Sequence, residues 1–172
     1  MKEIEEEIMI QYYNGSIFDS KADILCHQVN CQGAFGYGIA GQVKKLFPEV
    51  EKTYKRITKQ WIEKENGDTS KLLGRVSAQP VEKDGRWFLI GNLYGQDDYG
   101  RKKMVYTDYD ALERARGEIR SFVEARDKNE TVAFPYKIGC GSAGGDWSVV
   151  EDIIKRTFEG YSGEVQIWRY EE

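Results

Sequence analysis

Residues 24–47 read ILCHQVNCQGAFGYGIAGQVKKLF, in which an apolar run leads through a glycine-rich stretch into an amphipathic one. The run Ile24 to Asn30 predicts a short strand that is buried on both faces of a sheet. Ile39 to Phe47 carries its apolar side chains at helical spacing and predicts a helix. Between them lies the glycine-rich loop Cys31 to Gly38, so this stretch predicts one strand–loop–helix unit of an α/β protein.

A second unit of the same kind lies nearer the C-terminus. Thr131 to Pro135 predicts another short buried strand, and Tyr136 to Gly145 is a second glycine-rich loop. A helix is predicted from Trp147 to Glu159, with Asp146 as its N-cap. Because ligands of open α/β sheets sit outside the carboxyl ends of the strands, we expect the two loops to border one site.

The remaining segments also alternate between strand and helix patterns. Lys83-Asp84-Gly85 predicts a hairpin turn, and Thr107 or Asp108 can cap the longest helix. This alternation predicts a three-layer α/β/α sandwich with a mixed, largely parallel sheet, and the length predicts one domain at 1–172. The other predicted elements are strands at Ile8–Tyr13, Arg75–Val81, Arg86–Tyr94 and Val165–Arg169, and helices at Pro48–Lys64 and Thr107–Asp127.

Composition is that of an ordinary soluble globule, with 40% apolar and 31% charged residues. The stretch MKEIEEEIMI lacks an apolar signal core, and no run approaches the ~20 apolar residues of a membrane span. Three cysteines at unrelated spacings predict no disulfide framework and favour a reducing, cytoplasmic location. With a single histidine, a Cys/His zinc site would need carboxylate ligands, and we expect no metal site. No cofactor is expected either.

The net charge of −4 and the pI of about 5.3 restrict the partner. The densest basic patch, Arg101-Lys102-Lys103, is only three residues long, so a nucleic-acid partner is not expected. A small anionic ligand is compatible with this charge, because backbone N–H groups hold phosphate without help from Lys or Arg.

Both loops are suited to phosphate binding, since glycine lets the backbone approach the ligand closely. Two such loops facing each other suit a pyrophosphate; plain turns are the alternative. Gly139-x-Gly141-x-x-Gly144 matches the dinucleotide fingerprint, but it comes late in the chain and lacks the acidic residue about twenty positions later. Neither loop contains Gly-Lys-Ser/Thr, so the sequence argues against both a Rossmann site and a P-loop.

Four motifs follow one another across about residues 8–170. They read HQVNCQG at 27–33 with GYGIA at 36–40, then Phe47-Pro48, then GNLY at 91–94, and PYKIGCGSAGGDW at 135–147. In these motifs the chain resembles the macrodomain family, and in particular the branch of ADP-ribose-1''-phosphate phosphatases and the terminal ADP-ribose protein glycohydrolase. The resemblance implies six or seven strands in a mixed sheet between helices.

The resemblance also implies the ligand, ADP-ribose or a derivative of it, with an ADP-ribosylated protein as a possible carrier. It puts adenine near Ser16 and Ile17, the pyrophosphate between the loops, and the distal ribose near Asn30, Gly38 and Ile39. The ligand-binding residues expected on this basis are Ser16, Ile17, Asn30, Gly36, Tyr37, Gly38, Ile39, Ala40, Asn92, Pro135, Gly139, Cys140, Gly141, Ser142, Ala143, Gly144 and Gly145.

The chain departs from the family pattern at three places. Ser16 stands where many macrodomains carry an Asp that accepts the adenine amino group. The catalytic Asp of the glycohydrolase aligns with Ala143, and its Lys aligns with Glu82, or with Lys83 after a slip of one residue. The sequence therefore does not support the glycohydrolase's lysyl-intermediate route.

His27 and Asp146 are the candidate catalytic residues for hydrolysis of a phosphate or ester at the distal ribose. The carboxylate would orient a water molecule and the imidazole would protonate the leaving oxygen. Each residue also has a structural interpretation, His27 as a hydrogen-bonded strand residue and Asp146 as a helix cap. Two other functions stay open: an ADP-ribose reader without turnover, and an ADP-ribosyl hydrolase that acts on a modified macromolecule.

Overall fold

The computed structural model describes residues 10–127 and 129–170, which contain six strands and four α-helices. The strands are β1 (Ile10–Asn14), β2 (Ile24–Asn30), β3 (Val76–Lys83), β4 (Arg86–Gln96), β5 (Val132–Pro135) and β6 (Val165–Arg169). The helices are α1 (Gly38–Leu46), α2 (Pro48–Lys64), α3 (Tyr109–Arg126) and α4 (Trp147–Thr157). The strands form one sheet in the order β1-β6-β5-β2-β4-β3, in which only β3 and β4 are antiparallel.

The predicted elements are confirmed, and β2, α2 and β6 have the predicted bounds. The first strand spans Ile10–Asn14 rather than residues 8–13, and residues 8 and 9 lie outside the described part of the chain. Of the two candidate caps of α3, Asp108 has this role: its carboxylate accepts a hydrogen bond from the amide of Ala111. The mixed, largely parallel sheet agrees with the predicted fold class.

The β3–β4 hairpin extends beyond its predicted ends because its turn contains only two residues. Asp84 and Gly85 have φ angles of 52° and 78°, the pair of left-handed conformations that a tight hairpin turn requires. Pairing therefore begins immediately, with Lys83 opposite Arg86. The other end of β4 reaches Gln96 because that strand also pairs with β2.

Two hydrophobic cores lie on opposite faces of the sheet, which confirms the three-layer sandwich. Side chains of β2 alternate between them: Leu25 and Val29 pack with α1 and α2, whereas Ile24 and Cys26 pack with α3 and α4. A strand that is apolar on both faces needs helices on both sides, as the sequence of β2 indicated. No helix among the described residues combines the length and hydropathy needed to span a membrane.

The path of the chain changes face beside β2, and this creates the site. The loop after β2 leads to α1 on one face, whereas the loops after its neighbours β4 and β5 lead to α3 and α4 on the other face. Where neighbouring parallel strands send their connections to opposite faces, a crevice opens outside their carboxyl ends. Both glycine-rich loops begin at this crevice.

Arg116 of α3 is a fully buried cation between α3, α4 and β5. Nη1 donates to the carbonyl oxygen of Val150 at 3.0 Å, and the guanidinium lies 5.2 Å from the ring centroid of Phe134. Nε and Nη2 have no hydrogen-bond partner among the described residues. Burial lowers the pKa of Arg116 to about 9, so the group stays charged at neutral pH without a paired carboxylate.

We therefore expect Arg116→Met to leave the free energy of unfolding unchanged or to raise it by up to about 4 kcal/mol, because an apolar residue of similar volume removes a buried charge. Arg120→Met, on the same helix, is the control. Nη1 of Arg120 donates to the carbonyl oxygens of Thr157 and Glu159 at 2.7 and 2.6 Å, so its loss should cost about 1–3 kcal/mol. Urea unfolding of both variants measures the difference. A larger loss for Arg116→Met than for Arg120→Met would contradict the expectation.

Candidate ligand-binding cleft

A cleft of about 420 Å³ lies at the carboxyl ends of β2 and β5, within the size range of small-molecule sites. Both glycine-rich loops border it, as the sequence predicted. Eleven of the expected ligand-binding residues line it: Asn30, Gly36, Tyr37, Gly38, Ile39, Ala40, Pro135, Gly139, Gly141, Ser142 and Ala143. His27 and Gln28 contribute from β2.

The charge of the cleft is opposite to that of the chain. Its lining among the described residues contains no Asp or Glu, but it contains the cations Arg101 and Lys137. Arg101 lies with its guanidinium carbon 5.9 Å from the ring centroid of Tyr37. In a chain of net charge −4, a cleft with two cations and no carboxylate favours an anionic ligand.

The N-terminus of α1 opens into the cleft without a side-chain cap. Its N-cap residue, Tyr37, makes no capping hydrogen bond, so the first amides of the helix, at Gly38, Ile39 and Ala40, have no acceptor within the described residues. By contrast, α3 and α4 are capped by Asp108 and Asp146. All three free amides belong to residues that line the cleft.

The second loop offers a matching run of amides. Gly144 N donates to Gly141 O and Gly145 N donates to Gly139 O, each at 2.9 Å, so these two glycines close the loop on itself. The amides of Gly141, Ser142 and Ala143, which precede these two glycines, make no hydrogen bond to the described residues. All three residues line the cleft. Consecutive free amides of this kind form an anion-binding concavity.

Asn30 shapes the first loop from within. Its Oδ1 accepts hydrogen bonds from the amides of Gln32 and Ala34 at 2.9 and 3.2 Å, and its Nδ2 donates to Ala34 O at 2.9 Å. The hydroxyl of Tyr54 on α2 donates to the carbonyl oxygen of Asn30 at 2.6 Å. The amide side chain of Asn30 therefore fixes the shape of the loop as well as lining the cleft.

His27 lies at the floor of the cleft, on a hydrogen-bonded rung that crosses three strands. Its Nε2 is 2.6 Å from Oδ1 of Asn92, and Nδ2 of Asn92 donates to the hydroxyl of Ser77 at 3.1 Å. Because the Asn92 oxygen faces His27, Nε2 carries the proton and Nδ1 is left as an acceptor. Burial lowers the pKa of His27 to about 4, so the imidazole is neutral at physiological pH.

Gln28 braces the cleft from the side. Its Nε2 donates to Gln96 at 2.9 Å and to the hydroxyl of Thr107 at 3.0 Å, and Thr107 in turn donates to Gly139 O at 2.6 Å. Gly139 has a φ of 76°, and an added Cβ would lie 2.7 Å from Oε1 of Gln28, so a side chain there would be strained and would displace Gln28. That Oε1 atom is buried without a partner among the described residues.

Known proteins resemble this chain in sequence and in structure. A scan against models of protein families finds no match. The chain is 28% identical over 187 residues to the ADP-ribose 1''-phosphate phosphatase of Saccharomyces cerevisiae, covering 94% of this chain and 98% of that protein. The solved macrodomain of Mycobacterium tuberculosis DarG superposes with a TM-score of 0.73 at 23% identity, covering 94% of this chain and 97% of that one. The chain has the macrodomain fold.

A further relative is the DNA ADP-ribosyl glycohydrolase of Mycobacterium bovis. It is 28% identical over 152 residues, which cover 88% of this chain but only 39% of that protein. These comparisons confirm the resemblance to the macrodomain family that the sequence motifs indicated.

Some expected site residues lie outside the lining of this macrodomain cleft. Ser16 caps the 3-10 turn Ile17–Asp19 through Phe18 N, and Ile17 is buried in the core. Asn92 lies behind His27, fully buried. Cys140, Gly144 and Gly145 form the back of the second loop.

Asp146 is exposed and is likewise absent from the residues that line the macrodomain cleft. Its Oδ1 accepts hydrogen bonds from the amide and the hydroxyl of Ser148, at 2.8 and 2.7 Å, as the N-cap of α4. These bonds hold the pKa of Asp146 below its usual range. The structure therefore brings His27 to the cleft and does not bring Asp146 beside it.

Other lining residues were not among the site residues expected from the sequence, including Gln28, Arg101 and Lys137. Lys137 is the second residue after β5 and has a φ of 60°, which is uncommon for a non-glycine residue. Arg101 belongs to the segment between β4 and α3, which carries no loop signature. The described residues contain no cluster of three or more His, Cys, Asp or Glu side chains that could hold a metal ion.

Proposed function

We propose that the cleft binds ADP-ribose or an ADP-ribose derivative through its diphosphate. One observation carries the proposal: the uncapped N-terminus of α1 and the free amides of Gly141–Ala143 border the same acid-free cleft. The helix end contributes donors and a partial positive charge, and the loop contributes three further donors. A diphosphate supplies the acceptors that both sets of amides lack.

We also propose that the protein hydrolyses a phosphate ester at the distal ribose, as the name of the yeast relative says of that protein. Because His27 is neutral at physiological pH, it does not fit the proton-donating role expected from the sequence. With Nδ1 free as an acceptor, it supports instead a role in accepting a proton from water or from a ribose hydroxyl. A catalytic role for Asp146 stays a proposal, because its carboxylate would have to release Ser148 to reach a ligand.

The alternative is a reader that binds ADP-ribose, free or attached to a protein, without turnover. The absence of any carboxylate among the described lining residues favours it, since hydrolases commonly use one as general base. The name of the mycobacterial relative supports a third candidate, removal of ADP-ribose from a macromolecule. The free cysteines Cys26, Cys31 and Cys140 support action in a reducing compartment such as the cytoplasm.

Calorimetry with ADP-ribose, together with a phosphate-release assay on ADP-ribose-1''-phosphate, tests these proposals. We expect saturable binding of ADP-ribose, and phosphate release that His27→Ala lowers at least about tenfold, toward the low end of general-base contributions. Binding without phosphate release would support the reader. Full activity in separate His27→Ala and Asp146→Ala proteins would contradict both catalytic assignments, and a lack of binding would overturn the proposed function.

A further inference from the structure

A second concavity of about 580 Å³ lies beside the cleft, between the second glycine-rich loop and the segment that connects β4 to α3. We call it the basic depression. The residues that define it are Arg101, Lys102, Lys103, Gly141, Ser142 and Gly144. Arg101, Gly141 and Ser142 also line the cleft, so the two spaces adjoin. A substituent on a ligand in the cleft can therefore extend into the depression.

The segment that connects β4 to α3, which carries these three cations, is hydrogen-bonded to the second loop. The amides of Tyr106 and Thr107 donate to Ala143 O at 2.7 and 3.2 Å, and the Thr107 hydroxyl donates to Gly139 O. At Gly144, whose φ is +75°, an added Cβ would lie only 2.5 Å from Met104 O. Glycine at this position lets the two backbones approach, which places the cations next to the free amides of the loop.

The cations of the depression have no carboxylate partner within the described residues. Arg101 contacts the ring of Tyr37, and neither Lys102 nor Lys103 forms an ion pair there. The nearest acids in sequence are engaged elsewhere: Asp97 accepts hydrogen bonds from Gln32 and Thr69, and Asp98 accepts one from the amide of Tyr99. Three adjacent unpaired cations are thus exposed at one end of the cleft.

We propose that the basic depression binds a phosphomonoester carried by the ligand in the cleft. The proposal rests on the proposed function and deepens it by assigning Arg101, Lys102 and Lys103 as the residues that recognise the additional phosphate. Three cations beside free backbone amides match the charge and the acceptor oxygens of a phosphate dianion. Two sources share this chemistry, a phosphate on the distal ribose or one on the 2'-hydroxyl of the adenosine ribose.

Competition binding with three probes tests the proposal: ADP-ribose, ADP-ribose-1''-phosphate and ADP-ribose 2'-phosphate. We expect one phosphorylated form to bind about tenfold more tightly than ADP-ribose at low salt, and this gain to shrink as salt rises. The form that shows the gain identifies the source of the phosphate. Product is measured at the end of each titration, so that turnover is not counted as binding.

Lys102→Gln/Lys103→Gln should reduce the gain from about tenfold to less than twofold, and Lys102→Arg/Lys103→Arg should retain it. Lys52→Gln/Lys59→Gln is the matched control, because it removes two exposed cations from α2 and changes the net charge equally. A gain that survives Lys102→Gln/Lys103→Gln, or no gain for either form, would overturn the proposal while ADP-ribose binding still stands. If ADP-ribose itself does not bind, the proposed function fails and this inference fails with it.

Discussion

Gly141→Val is expected to weaken ADP-ribose binding at least about 100-fold while leaving the melting temperature within about 2 °C. Gly141 lines both the cleft and the basic depression, and a Cβ added to it would meet no atom within 4 Å. Its φ lies outside the left-handed region, so valine is tolerated by the backbone. In the complex, however, the branched side chain would occupy space next to the free amides where the diphosphate is proposed to lie.

The control for this variant is Gly117→Val on α3, which also adds its side chain to open space but far from either loop. Calorimetry and thermal melts of both proteins give the comparison. Affinity within threefold of the parent in Gly141→Val would show that the ligand does not pass over the second loop. A fall of affinity in both variants would point to general damage instead of a blocked cleft.

Acidification from pH 7 to pH 4 is expected to remove about 3 kcal/mol of stability through His27 alone. Burial lowers the pKa of His27 from 6.5 to about 4 in the folded protein, whereas the unfolded chain has the ordinary value. Between these two values the unfolded state binds more protons, so stability falls as the pH falls. The full contribution is present above pH 6.5 and is lost by about pH 4.

The comparison protein for this prediction is His27→Asn, which keeps a donor for Asn92 but does not titrate. The difference in the free energy of unfolding between the two proteins, measured from pH 7 to 5, isolates the histidine from carboxylates that titrate lower. Because the chain has a single histidine, its ring signals can also be followed directly by NMR. A midpoint near 6.5 in the folded protein would show that the imidazole is hydrated and the cleft floor is open.

The sequence predicted the layers of the fold because each element carries a strong local signal. β2 begins with the apolar run Ile24 to Cys26, β5 is apolar throughout, and β6 carries Val165, Ile167 and Trp168. Asp84-Gly85 specifies a tight turn by its conformational preference alone. Two short 3-10 helices, Ile17–Asp19 and Thr69–Leu72, were not predicted. The errors in the strands lie at their ends, where pairing with a neighbouring strand decides how far a strand continues.

The sequence predicted the two loops that border the site, but not which of their amides are free or which side chains line the cleft. Glycine spacing shows where a loop can approach a phosphate, but it cannot show which amides the loop uses internally, as Gly144 and Gly145 do. Arg101 reaches the cleft because the segment that follows it is hydrogen-bonded to Ala143, through the amides of Tyr106 and Thr107. This contact joins distant parts of the chain, and local sequence does not predict it. For Asp146, residue type fits both a cap and a ligand contact, and only the direction of its side chain distinguishes them.

The missing side-chain cap at the first turn of α1 affects both the stability of the empty protein and its affinity for the ligand. A side-chain cap contributes about 0.5–2 kcal/mol to a helix, and α1 lacks one, whereas α3 and α4 each have an Asp cap. The ligand itself would complete the helix, so the empty protein carries the deficit and occupancy repairs it. Selection for a more robust unliganded molecule would favour Ser or Asp at position 37, and that same residue would compete with the ligand for the amides. Tyr37 leaves those amides to the ligand, at the expense of the empty protein's stability.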